Sequence, residues 1–245
     1  MRRSILAAAI WLTALPVFAQ DVWGWSIIIP SVTGTDQLGT YFHNQQQAGA
    51  GGAQRPASPP PASAGSAPSA GALRFTPSAE RRKANFSGFL AERRGGDAAA
   101  LRQLEALLND PALMPKLEAE LGKLGLRPDN MADAYAVWWI SAWQAAQGKS
   151  SDPSPASARA VKAQAERIFL AVPALANSDD ATKQAFSEGL LVQAVLLSAA
   201  TEQAEKDPTQ LRAIGQIARQ GARRFGLDLD TLTLTDAGFV GGPLG

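Results

Sequence analysis

Apolar residues recur at helical spacing through most of the chain from Leu73 onward. Ser78 reads as the N-cap of a helix carrying Phe86, Phe89 and Leu90 and ending at Gly95-Gly96. Asp97 opens a second, with Leu101, Leu104, Leu107 and Leu108 on one face, stopped at Asn109-Asp110-Pro111. Leu113, Leu117, Leu121 and Leu124 give a third, with Gly125 where a left-handed C-terminal glycine belongs. Asn130, with Asp133 three residues on, has the spacing of a capping box for a helix through Trp143, closed by Gly148. Another runs from about Ala156 to Val172 and breaks at Pro173. The run from Asp179 carries Phe186, Leu190, Leu191, Val192, Val195, Leu196 and Leu197 on nearly every face, which predicts the buried centre of an α domain. Asp207-Pro208 begins the last helix, with Leu211, Ile214, Ile217 and Phe225 before Gly226. The tail alternates at Leu232, Thr233, Leu234 and Thr235 and reads as an extended strap. No internal period recurs, so the expected fold is all-α: a single irregular bundle of about six or seven helices over 73–245.

Upstream of Leu73 the pattern changes twice. Residues 43–72 pass from Gln45-Gln46-Gln47 through Gly51-Gly52 to Pro59-Pro60-Pro61 and Ala/Ser/Pro/Gly runs, a composition that predicts a disordered linker. Residues 20–42 are an apolar arm whose charges are Asp21 and Asp36 and whose bulk is Trp23, Trp25, Ile27, Ile28, Ile29, Val32, Tyr41 and Phe42. Three isoleucines before Pro30 favour extended backbone over helix. At the start, Arg2 and Arg3, the apolar run Ile5 to Leu15 and Val17-Phe18-Ala19 follow the order of a secretory signal peptide. Cleavage is expected after Ala19, giving a periplasmic or secreted protein. The adjacent arginines alone do not make a twin-arginine signal.

Composition then narrows the chemistry. The 245-residue chain has 23 basic and 22 acidic residues, and loss of Arg2 and Arg3 with the signal leaves it within one charge of balance. Without a basic block there is no electrostatic footprint for nucleic acid or anionic lipid. No second apolar stretch is long enough to span a bilayer in the mature chain. Cysteine is absent, which excludes disulfides, a thiol nucleophile and a lipid anchor on an N-terminal cysteine. The sole histidine, His43, lies at the linker edge, so a Ser-His-Asp site or a conventional zinc site in the helical body lacks its imidazole. No Ser or Thr stands three residues before a lysine, and no Walker loop is present. No cofactor and no metal are expected.

Carboxylates remain. Glu188, between Phe186 and Leu190, and Glu166, before Ile168-Phe169, are the candidates for a general acid tuned by an apolar pocket. The plainer reading makes Glu188 a solvated first-turn residue complementing the helix dipole. Trp138, Trp139 and Trp143, with Tyr135 four residues before Trp139, form a candidate binding surface for a sugar or a protein partner; the alternative is core packing. Trp23 and Trp25 in the arm are the other binding candidates, free to pair with a partner or to fold over their own domain. Asn130 and Asp133 are read as capping residues, and Asp228, Asp230 and Asp236 as loop acids that lack the glycine and terminal glutamate of a calcium loop.

Several runs together resemble a bacterial family of exported proteins of unknown function. They are Phe75-Thr76-Pro77-Ser78, Asn85-Phe86-x-x-Phe89, Gly125-Leu126-Arg127-Pro128-Asp129-Asn130-Met131-Ala132-Asp133-Ala134-Tyr135, Val137 to Gly148, and Gly226-Leu227-Asp228-Leu229 with Gly238-Phe239. The resemblance spans about Leu73 to Val240 and is strongest over Asp129 to Gly148. It implies an all-helical exported domain and carries over no activity, cofactor or catalytic residue. The expectation is therefore a non-enzymatic exported protein that binds a protein partner or an envelope component. The alternatives are a carboxylate-dependent glycan hydrolase of the envelope and a carrier enclosing an apolar small molecule in a pocket of several hundred Å³.

Overall fold

The computed structural model describes residues 69–94 and 97–241. Among these, a short 3-10 turn, Ala70–Leu73, leads into eight α-helices and a terminal hairpin. The helices are α1 (Ala79–Ala91), α2 (Ala98–Leu108), α3 (Leu113–Lys123), α4 (Met131–Ala146), α5 (Pro155–Leu170), α6 (Pro173–Ala176), α7 (Asp180–Gln203) and α8 (Pro208–Arg224). The hairpin is β1 (Thr233–Thr235) with β2 (Gly238–Val240). The all-α expectation holds. The helix beyond the expected number is α6, a single turn that exists because Pro173 both stops α5 and serves as the first residue of a new helix. The signal peptide, the arm and nearly all of the linker lie outside the described residues.

Local capping explains the boundaries. The side chains of Ser78, Asp97, Asn130, Ser154, Asp179 and Asp207 each accept a backbone N–H in the first turn of the helix they precede. At the other end Gly125 adopts φ +74°, and the Leu126 N–H closes back on the Leu121 carbonyl at 2.9 Å.

Two apolar clusters form on opposite sides of α7. The larger joins α4, α5, α8, the lead-in residue Leu73 and the C-terminal residues Leu232 and Phe239. The smaller joins Phe86 and Phe89 of α1 with Leu104, Leu107 and Leu108 of α2, Leu113 and Leu117 around α3, and Val192, Val195 and Leu196 of α7. Helix α7 is thus a wall shared by two cores, which is why its sequence is apolar almost all round. Helix α4 is enclosed even more completely, because α7, α8 and α5 all pack on it.

The tail is not a simple strap. It turns back at Asp236-Ala237, pairing Thr233 with Val240 and Thr235 with Gly238. The outer edge of β2 is closed by a side chain: the Gln164 amide donates to the Phe239 carbonyl (2.7 Å) and accepts the Phe239 N–H (2.9 Å). A carboxamide from α5 thereby does what a third strand would do.

Candidate functional site

The most organised polar site lies in the seam between α1 and α7. Arg82 and Asn85 share one face of α1 at a spacing of three; Gln184 and Glu188 share one face of α7 at a spacing of four. Brought together, Arg82 Nε donates to Glu188 Oε1 at 2.8 Å, Gln184 Nε2 to the same oxygen at 2.9 Å, and Asn85 Nδ2 to Oε2 at 2.8 Å. Gln184 extends the strip. Its Oε1 accepts the Ser78 N–H (3.0 Å) and Arg81 Nε (2.9 Å), and its Nε2 also donates to the Ser78 carbonyl (2.7 Å).

Glu188 is 2 % exposed, so the reading of a solvated first-turn residue is corrected. It sits in the third turn of α7, facing α1 rather than water. Both its oxygens already accept hydrogen bonds, Oε1 from Arg82 and Gln184 and Oε2 from Asn85.

Beside this strip opens a groove of about 190 Å³ between α1 and α7. Its walls are Phe86, Phe89 and Val192, and four small residues, Ala84, Gly88, Ala185 and Gly189, keep it open. Glu188 and Asn85 form its polar floor. A Cβ added at Gly88 would meet nothing within 4 Å. A second hollow, about 20 Å³ between Leu126, Val137, Ile140 and Ser198, has room for little more than a water.

Glu166 lies elsewhere, half-buried on α5. Lys162 is 3.9 Å from it and makes its shorter contact, 2.8 Å, with Asp133 Oδ1. Asp133 is fully buried, and its Oδ2 accepts the Arg127 N–H at 2.8 Å. The capping reading of Asp133 is therefore corrected: Asn130 caps α4 alone, and the acid instead ties the loop before α4 to α5. Burial pushes the Asp133 carboxyl above the ordinary range, against the pull of Lys162. Four residues earlier Asp129 shows the reverse. Hydrogen bonds from Arg127, with Arg74 adding to them, lower its pKa to about 2.

The aromatic cluster is interior. Tyr135, Trp138 and Trp139 are all fully buried. Tyr135 packs edge-on to Phe169 and Phe225 with ring centroids 5.3 and 5.8 Å away. Phe225 covers Trp138 at 4.7 Å and Phe239 stacks on Trp139 at 4.6 Å. These three residues offer no face to a sugar or partner, which corrects the surface reading. Two adjacent tryptophans point different ways along α4, and both are covered because the end of α8 reaches one and the hairpin the other. Trp143 is half-buried; its Nε1 donates to the Leu232 carbonyl at 2.9 Å, and Lys149 lies over its ring. Trp23 and Trp25 lie outside the described residues.

The C-terminal acids are spoken for. Asp230 pairs with Arg219 at 2.8 Å, Asp236 accepts from the Ser154 hydroxyl, and Asp228 accepts the Asp230 N–H. Among the described residues no group of three His, Cys, Asp or Glu could hold a metal ion. No helix among them is long and apolar enough to cross a membrane.

Arg82, Asn85 and Gln184 escaped the sequence reading. Their signal was a pair of polar residues at helical spacing on each of two otherwise apolar faces.

The pattern of a family of unknown function, DUF6683, matches residues 27–241. The chain belongs to that family. The match reaches back beyond Leu73, through the linker and into the arm at Ile27, so the family unit takes in the isoleucine run as well as the helical body. No curated protein and no solved structure matches the chain.

Proposed function

We propose that this protein is an exported, non-enzymatic binding protein whose groove between α1 and α7 receives an apolar segment of a protein partner or envelope component. The observation that carries this reading is the state of the groove floor. Glu188 is held through both oxygens by Arg82, Gln184 and Asn85, so the groove offers a neutralised floor and apolar walls instead of a free acid. A site built this way gains by excluding water from an apolar ligand. The export part rests on the order of residues in the first nineteen positions, basic then apolar then small-x-small.

The test is capture from a cell-envelope extract with the wild-type protein and with Gly88→Leu, which fills the groove where space is open. A partner held by the wild type and lost by a Gly88→Leu protein of unchanged melting temperature supports the reading. The same captured set from both proteins overturns the groove as the binding site.

A further inference from the structure

We propose that the resting occupant of the groove between α1 and α7 is the chain's own arm, through the uncharged run Trp25-Ser26-Ile27-Ile28-Ile29. The inference rests on the groove being a docking site, as argued above, and adds what fills it when no partner is present.

Three observations converge on the arm. The first is chemical. The groove has apolar walls and a floor whose one acid is already paired with Arg82, so a charged occupant would find no unmatched counter-charge there. Residues 25–29 carry no charge and are mostly large and apolar. Gly88 and Gly189 allow close approach of an extended backbone, and Ile-Ile-Ile before proline favours that geometry.

The second is the rest of the surface. Among the described residues the one large hydrophobic side chain left exposed is Val240. The described domain thus shows no broad exposed apolar face, and the groove, whose walls Phe86, Phe89 and Val192 are 8, 5 and 4 % exposed, is a narrow apolar opening between α1 and α7. An arm with two tryptophans and three isoleucines has the stronger reason to seek it.

The third is the tether. The chain is anchored at Leu73, which is fully buried, and α1, one wall of the groove, begins six residues later at Ala79. The Gly/Ser/Pro/Ala-rich stretch between Ile29 and Leu73 spans on the order of 35–40 Å as a coil, enough to return to α1. Tethering of this kind sets an effective concentration of about millimolar, so a modest contact suffices to keep the arm docked. That the family unit begins at Ile27 places the isoleucines and the groove in one matched segment.

Because the chain has no cysteine, engineered pairs give an unambiguous readout. In the full chain, Ile27→Cys, Ile28→Cys and Ile29→Cys are each combined with Gly88→Cys, and as a control with Ala213→Cys, an exposed position on α8. Each protein is treated with a mild oxidant at low concentration, and disulfides are followed by non-reducing gel and peptide mass. A docked arm predicts that at least one pairing with Gly88→Cys closes within the monomer about tenfold faster than its Ala213→Cys control. Equal rates at the two positions mean the arm only samples the surface, and overturn the proposal. Disulfides formed only between molecules overturn it too, in favour of an arm that reaches a second copy. A second measurement is independent of disulfide chemistry: Gly88→Leu should expose the arm to protease several-fold faster while the melting temperature stays unchanged, and an unchanged cleavage rate counts against docking. Neither readout needs a partner, so loss of envelope capture and failure of arm docking are separately visible.

Discussion

Arg82 and Glu188, 106 residues apart in sequence, meet at 2.8 Å across the seam of α1 and α7. The acid is almost completely enclosed while the guanidinium keeps about a quarter of its side-chain surface in water. The arginine therefore gives up only part of its hydration, while the carboxylate exchanges all of its own for three directed hydrogen bonds. This pair, with Asn85 and Gln184, fixes the rotation of α1 on α7 and so sets the width of the groove beside it.

Removing one side of the pair should hurt more than neutralising the other. Arg82→Ala leaves a buried carboxylate with amide partners alone, and a loss of about 2–4 kcal/mol is expected. Glu188→Gln keeps the shape and one accepting oxygen and should cost about 1 kcal/mol. In the Glu188→Gln background, Arg82→Ala should then be milder by about 1 kcal/mol or more. Urea unfolding of the four proteins checks this; independent, additive costs would show that the pair does not hold the seam.

Asp129 and Asp133, four residues apart on either side of the Asn130 cap, should give stability opposite dependences on pH. Asp129 is lowered to about 2 by Arg127 and Arg74. Its contribution is present above the ordinary aspartate value and is lost as pH falls through the folded one. Asp133 is raised, chiefly by burial. Its contribution is complete below the ordinary value and is lost as pH rises through the folded one. Asp129→Asn should thus differ most from wild type above about pH 5, by about 1 kcal/mol after solvent screening, and converge with it toward acid. Asp133→Asn should lie closest to wild type in acid, where the wild-type carboxyl is protonated and neutral too, and should gain on it as pH rises and the buried carboxylate must ionise. Unfolding free energies between about pH 2.5 and 7 decide it: above about pH 5 Asp129→Asn should fall below wild type while Asp133→Asn rises relative to it, and two variants that move the same way with pH would contradict the assignment.

The helix boundaries were legible because a cap is a local event. Ser78, Asp97, Asn130 and Asp207 each bond a backbone N–H two or three residues away, and that spacing is written in the sequence. The same locality misled at Asp133, where capping spacing was present but the side chain turned to Lys162 on another helix. Glu188 was legible only as an acid in an apolar run, since its partners Arg82 and Asn85 lie more than a hundred residues upstream. The burial of Trp138 and Trp139 was equally non-local, decided by Phe225 and Phe239 arriving from the end of the chain.

Tyr135 should tolerate the loss of its hydroxyl. The ring is fully buried among Trp138, Trp139, Phe169 and Phe225, yet the hydroxyl oxygen has no hydrogen-bond partner. Burial also pushes its ionisation well above the ordinary tyrosine range. A buried hydroxyl without a partner costs its desolvation and returns nothing, so Tyr135→Phe should be neutral or stabilising by up to about 1 kcal/mol. Tyr135→Ala, which removes the ring, should cost about 3–5 kcal/mol. Thermal unfolding of both variants separates the two effects. A loss above about 1 kcal/mol for Tyr135→Phe would reveal a partner for the hydroxyl and sink the assignment.

The hairpin should depend on Gln164 and Gly238 together. Gly238 adopts φ +97°, and a Cβ placed there would meet Gln164 Oε1 at 2.6 Å, the atom that accepts the Phe239 N–H. Gly238→Ala therefore strains its own backbone and also drives away the carboxamide that closes β2. Gln164→Ala removes that carboxamide directly. Each change should cost about 1–2 kcal/mol. Their combination should cost less than the sum, because without Gln164 the new methyl has space and only the backbone strain remains. The stacking of Phe239 on Trp139 supplies a local reporter, so tryptophan emission should shift to the red in both single variants as the hairpin loosens over the ring. Costs that add within about 0.3–0.5 kcal/mol would mean that the two residues act separately and that β2 is held by its pairing with β1 rather than by α5.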